Sequence, residues 1–223
     1  MTTTRPTSRG QIAGLRASYD IIAGEYAKRI YDELKDKPLD RQLLDRFASR
    51  VRGPGMVCDL GCGPAQIARY LHDRGVKTFG LDLSGGMLTE AKRLNPDIEF
   101  VQGSMLMLGL ATNSLAGIAA FYSIIHIAPE QVVFALSEML RVLRPGGLLL
   151  LTFHLGTDVI HETDLWGYSI DLDATFFQTK EMSGYLASAG FHIEDAIERD
   201  PYPEVEYQSR RGYIAAIKSA QTS

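Results

Sequence analysis

The densest chemical signal in the chain is the run Val57-Cys58-Asp59-Leu60-Gly61-Cys62-Gly63-Pro64-Ala65. An apolar strand ends beside an acidic residue, and two glycines one position apart then carry the chain into a helix. Glycines at such a turn admit tight dihedrals and let a ligand approach the backbone. A bare G-x-G serves equally well as a plain turn; Asp59 ahead of it is what adds chemistry. Gln66 stands where a dinucleotide site needs a third small residue, and a pyrophosphate would sit badly beside Asp59. About twenty residues on, Phe79-Gly80-Leu81-Asp82-Leu83-Ser84 puts Asp82 at the end of a second strand. A carboxylate there accepts both hydroxyls of a ribose. The plainer reading, a helix cap, is better filled by Ser84. Together Asp59 and Asp82 imply a nucleoside ligand without pyrophosphate, its cationic or amino part near Asp59.

Cys58 and Cys62 are the only cysteines. Their C-x3-C spacing has no second Cys or His pair to complete a metal site, so no metal is expected. Two cysteines in a chain of this length fit a reducing cytoplasm.

Around the motif the sequence sets a rhythm of elements. Residues 1–10 are polar and read as a loose tail. Leu15, Tyr19, Ile22, Tyr26, Ile30 and Leu34 recur at helical steps from Ile12 to Leu34, and a second helix follows over Leu39–Val51. Strands are expected at Met56–Leu60, Lys77–Leu83, Ile98–Gln102, Leu115–Ser123 and Leu148–Phe153, with helices between most of them; Pro129 opens one that reaches Val142. This alternation predicts a doubly wound α/β fold, a largely parallel sheet covered on both faces. The stretch 155–178 breaks the rhythm and reads as a long insert. A helix over Lys180–Ala189 and strands at Phe191–Glu198 and Tyr207–Lys218 close the chain. The 223 residues are read as one domain: tail and cap helices over 1–52, a ligand-binding half over 53–154, the insert over 155–178, and a closing helix and strands over 179–223.

VCDLGCGPA resembles motif I of class I S-adenosylmethionine-dependent methyltransferases. GLDLS resembles their acidic motif II, and Arg141–Gly147, RVLRPGG, the turn before the fifth strand in small-molecule members of the methyltransferase domain 11 and 25 type. The likeness covers about Tyr19 to Phe153. It implies a Rossmann-like seven-stranded sheet of order 3-2-1-4-5-7-6 with an antiparallel last strand. It implies S-adenosyl-L-methionine as cofactor and S-adenosyl-L-homocysteine as product, with Gly61 and Gly63 under the methionine part, Asp59 near its ammonium and Asp82 on the ribose. Ser104 replaces the acid expected on the adenine amino group, so Met105 and Leu83 would take more of that contact. Tyr19 and Tyr26, in Y-D-x-x-A-x-x-Y, share one helix face and resemble the family's cofactor-covering helix.

The resemblance also places Tyr122 and His126, after the fourth strand, between cofactor and acceptor. A histidine with an ordinary pKa near 6.5 suits proton removal from a hydroxyl or a protonated amine; a packed histidine and a core tyrosine are the plainer readings. The acceptor site is expected in 155–178 and the loop Pro201–Arg211. The candidates are His154, His161, Glu162, Asp164, Trp166, Tyr168, Asp171 and Asp173 from the former and Glu204, Glu206, Tyr207, Arg210 and Arg211 from the latter. Solvated surface is the plainer reading for most, and Glu162, Trp166 and Arg211 are the preferred substrate-binding residues. A net charge of −4 with 22% charged residues gives no basic face for nucleic acid, and no apolar run reaches membrane-spanning length. The expected protein is a cytoplasmic monomer or homodimer that methylates an N or O atom of a small molecule. A nicotinamide-dependent oxidoreductase, an RNA or protein methyltransferase and a non-catalytic S-adenosylmethionine-binding protein are the alternatives.

Overall fold

The computed structural model describes residues 8–220. Five strands, β1 (Met56–Leu60), β2 (Thr78–Asp82), β3 (Glu99–Gln102), β4 (Leu115–Phe121) and β5 (Leu143–His154), pair in parallel. They are completed by β8 (Phe191–Arg199) and β9 (Arg211–Lys218), and β9 runs antiparallel to both of its neighbours. The sheet order is β3-β2-β1-β4-β5-β9-β8. With a separate two-stranded hairpin set aside, this is the expected 3-2-1-4-5-7-6. Crossover helices are what parallel strands require. Period-two alternation along β1 sends Val57 to one face and Cys58 and Leu60 to the other. Val57 packs with Leu44 and Phe47 of α2 (Pro38–Val51) and Ile67 and Leu71 of α3 (Gln66–His72). Cys58 and Leu60 join the core of α5 (Pro129–Val142) and α6 (Thr179–Ala189).

The insert over 155–178, to which the sequence reading assigns neither helix nor strand, has regular structure. It is an antiparallel hairpin, β6 (Val159–Leu165) and β7 (Tyr168–Thr175). Trp166 and Gly167 make its two-residue turn at φ of 55° and 84°. Paired positive φ values define the primed turn that matches strand twist, ordinarily written Asn-Gly; a tryptophan in the first position hides it. Ile170 and Leu172 of β7 are buried with Ile22 and Ala23 of α1 (Ser8–Ile30) and Met87 of α4 (Gly85–Leu94), a small core apart from the sheet.

Several boundaries also differ, among them the end of the first helix at Ile30 rather than Leu34 and the start of β5 at Leu143 rather than Leu148. Residues 8–10 form the first turn of α1 rather than tail; residues 1–7 lie outside the described residues. The last strand starts at Arg211 rather than Tyr207, because Tyr207–Ser209 is a turn in which the Ser209 amide donates to the Tyr207 carbonyl. Among the described residues no helix is long and apolar enough to cross a membrane, and no three His, Cys, Asp or Glu side chains converge as a metal site.

Candidate active site

The carboxyl ends of β1, β2 and β4 meet at the glycine turn. Gly61 has φ 72°, and a Cβ there would lie 2.3 Å from Cβ of Ser123. Ser123 is fixed because its hydroxyl donates to the Leu60 carbonyl at 2.7 Å. Glycine is therefore demanded twice at position 61, by its dihedral and by its neighbour. Asp59 is buried, and its Oδ2 accepts the Ala68 amide at 2.8 Å in the first turn of α3, where a helix leaves its amides unpaired. Burial nevertheless raises its pKa to about 7. Asp82 accepts the amides of Gly63 and Ser84, each at 2.8 Å, and burial raises its pKa as well. Ser84 caps α4 through the Met87 amide at 3.0 Å. Its hydroxyl donates to Asp20 of α1 at 2.6 Å, and Asp20 also accepts the Gly86 amide at 2.8 Å. One aspartate thus ties the first helix across the ligand-binding turn.

The other end is built from side chains. Tyr122 follows β4 at φ 52°, a sparsely populated region for a bulky residue. It is held there because its amide donates to the carbonyl and hydroxyl of Thr152, at 3.1 and 3.0 Å. His126 ends a one-turn 3₁₀ helix, Ile124–His126. Its Nδ1 lies 2.8 Å from the Asp173 carbonyl of β7, and its Nε2 lies 2.7 Å from the Tyr19 hydroxyl of α1. A carbonyl only accepts, so the proton sits on Nδ1 and Nε2 accepts from Tyr19. Burial pushes the His126 pKa down and, with Asp82 adding to it, that of Tyr19 up. The pair is neutral on both sides.

Beneath Tyr122 lies a buried ionic network. Lys37, Arg199 and Arg211 all pair with Glu206, Arg199 also reaches Asp40 at 3.1 Å, and Lys37 reaches Glu33 at 2.6 Å. Burial opposes ionisation of Glu206, but Arg199, the Tyr202 amide, Arg211 and Lys37 outweigh it and hold its pKa at about 2. Lys37 and Arg211 lie 5.5 and 5.1 Å from the Tyr122 ring centre.

A single cavity of about 380 Å³ spans both ends. Tyr19, Tyr26, Asp59, Gly61, Gly63, Asp82, Leu83, Ser104 and Met105 line it, together with Tyr122, His126 and Arg211. The Ser104 hydroxyl also accepts the Leu106 amide at 3.2 Å. Trp166 and Glu162 stand apart from the lining. The Trp166 ring packs 6.0 Å from Tyr26 and 4.9 Å from the Arg29 guanidinium. Glu162 pairs across the hairpin with Leu172, whose face turns to α1, whereas Val159 and Thr175 line the cavity. The strand pleat sends alternate residues to opposite sides. Lys37 also lines the cavity, and nothing in its sequence neighbourhood singles it out.

Residues 57–147 match a family model described as a methyltransferase domain. A demethylmenaquinone methyltransferase from Beutenbergia cavernae is 38% identical over 51% of this chain and 46% of its own length. A malonyl-[acyl-carrier protein] O-methyltransferase from Enterobacter lignolyticus is 34% identical over 59% and 52%. The chain thus spans about half the length of these curated relatives. A solved structure described as a DhpI–SAH complex superposes with a TM-score of 0.73 at 20% identity, over 97% of this chain and 100% of that one. The fold is the Rossmann-like one of class I methyltransferases. The segment that matches the methyltransferase-domain model carries the glycine turn and Asp82.

Proposed function

We propose that the protein transfers a methyl group from S-adenosylmethionine to an N or O atom of a small molecule, leaving S-adenosylhomocysteine. The observation that carries this reading is one cavity joining the Gly61–Gly63 turn and Asp82 to the Tyr19–His126 pair. The residues fit the cofactor. Gly61 and Gly63 leave room for a ligand at the backbone, Asp82 accepts the Gly63 and Ser84 amides at its two oxygens and keeps lone-pair capacity for a ribose, and Asp59 offers a carboxyl near an ammonium.

The cofactor supplies a sulfonium methyl with a good leaving group already in place. The chain's own task is to align the acceptor and exclude water. α1, held on α4 by Asp20 and on β7 by Ser18, whose hydroxyl accepts the Asp171 amide at 2.9 Å, closes the cavity. An acceptor hydroxyl at Tyr19 would pass its proton to the phenol oxygen as Tyr19 passes its own to Nε2 of His126. The Asp173 carbonyl then steadies the imidazolium through Nδ1–H. The reaction is assigned to the cytoplasm, with a monomer or homodimer acting free of nucleic acid and membrane; the net charge of −4 supports the last point.

Calorimetry should show S-adenosylhomocysteine binding and no NAD binding; the reverse would sink the proposal. Tyr19→Phe should lower turnover by about 10- to 100-fold, the range of a lost proton relay, with S-adenosylhomocysteine affinity nearly intact.

A further inference from the structure

The proton-accepting histidine has a counterpart on the far wall, His154 at the end of β5. Its Nδ1 takes hydrogen bonds from the guanidinium of Arg211 and from the Ser209 hydroxyl, the latter at 2.6 Å. A guanidinium can only donate, so Nδ1 holds no proton, and an imidazole accepting there is neutral with its hydrogen on Nε2. Nε2 has no hydrogen-bond partner among the described residues, and His154 lines the cavity. Phe176 stacks on the ring at 4.9 Å and 14° and lies outside the cavity lining. Arg211 is itself fixed, by Glu206 at 3.2 Å and by the Tyr207 carbonyl at 2.6 Å.

His126 and His154 are therefore locked in opposite tautomers. The first accepts at Nε2, through Tyr19, and the second donates at Nε2. A hydroxyl satisfies both: its proton leaves toward Tyr19 and His126, and the electron pair left on oxygen is met by the His154 N–H. A guanidinium on the back of the imidazole strengthens that donor toward an anionic oxygen. An ammonium group suits the place badly, because Arg211 and Lys37 already stand there and Glu206 is taken up by three cations. The rings of Tyr122 and Tyr207, 5.3 and 5.8 Å from His154, give the space flat walls.

Resting on the methyltransferase reading, we propose that His154 is a fixed neutral hydrogen-bond donor to the acceptor's oxygen, and that the acceptor is a planar hydroxylated ring of the phenol or enol class.

The test uses the protein saturated with S-adenosylhomocysteine and 4-nitrophenol, whose absorbance reports phenol or phenolate directly. Bound 4-nitrophenol should ionise about one pH unit lower than in water, as a tenfold preference for the anion requires. His154→Phe should abolish that displacement and weaken binding by about tenfold or more. His154→Gln, which keeps an N–H, should retain part of both, and S-adenosylhomocysteine affinity should stay level in both variants. 4-Nitrobenzylamine, the cationic counterpart, should bind about tenfold more weakly than 4-nitrophenol. Unchanged ionisation in His154→Phe, or tighter binding of the amine, would overturn the proposal. Failure of 4-nitrophenol to bind a protein that does bind S-adenosylhomocysteine removes the acceptor assignment alone. Failure of S-adenosylhomocysteine itself removes the methyltransferase reading and this inference with it.

Discussion

The two ends of the cavity are built by different means. At the glycine turn the partners are close in sequence: Asp59 reaches Ala68, nine residues on, and Asp82 reaches Gly63 across 19. Backbone amides do most of the work there. At the other end Tyr19 meets His126 across 107 residues and Arg199 meets Asp40 across 159, side chain to side chain. A ligand common to a whole superfamily can be met by strand ends that the fold supplies in any case. A ligand particular to one protein must be met by side chains brought together only when the chain is complete.

If that division holds, each end can be damaged separately. Glu206→Ala should be the most disruptive change, leaving Lys37, Arg199 and Arg211 buried against one another. About 3–5 kcal/mol of stability should go in urea unfolding, with S-adenosylhomocysteine affinity of the folded protein within about threefold. An affinity falling in step with stability would show the two ends to be one unit. Gly61→Ala drives a Cβ onto Ser123 from a left-handed backbone and should cost about 2–3 kcal/mol, together with most S-adenosylhomocysteine binding. Adding Ser123→Gly should restore part of the stability, since the clash goes and the dihedral strain stays.

Asp59 gives a slope rather than a step. Its folded pKa of about 7 exceeds the ordinary carboxylate value, so the native state keeps a proton that the unfolded chain releases above about pH 4. Its contribution is full below that point and is lost as pH rises to about 7, at up to ~1.4 kcal/mol per pH unit. His126 and His154, the latter held at about 3 by burial and Arg211, give the opposite slope. The difference between wild type and Asp59→Asn therefore isolates Asp59 and should fall across this window in chemical denaturation; a level difference would refute the assignment. Trp166→Ala should be the mildest, losing about 0.5–1 kcal/mol of cation–π contact with Arg29 and leaving ligand binding unchanged. A large loss of acceptor binding would return Trp166 to the site.

The same division explains what the sequence discloses. Strand order, cap helices and the glycine turn are legible because apolar rhythm and local motifs determine them: Ser84 reads as a cap and is one. The hairpin is obscured by Trp166 at a turn position usually held by asparagine, although Ile170 and Leu172 alternating with Asp171 and Asp173 carry the period-two signal of a strand. Lys37 beside Pro38, and Glu206 in a Pro- and Glu-bearing loop, look like solvated charges. Only their pairing across the fold, with Arg199 and Arg211 as the other partners, shows them buried. Glu162 and Trp166 drew attention by residue type, and the pleat and turn of the hairpin set them aside from the cavity.

The docking of α1 has a consequence for the order of folding. Ser18 bonds to Asp171 across 153 residues, and Ile22 is buried only once Met87, Ile170 and Leu172 have gathered. α1 is therefore among the last pieces to find its seat, since closing so long a loop precedes any reward from contact. Until the hairpin is made, Ile22 is exposed on a nascent helix, within reach of chaperones and proteases. Pulse-labelled hydrogen exchange during refolding should show β1, β4 and β5 protected before α1.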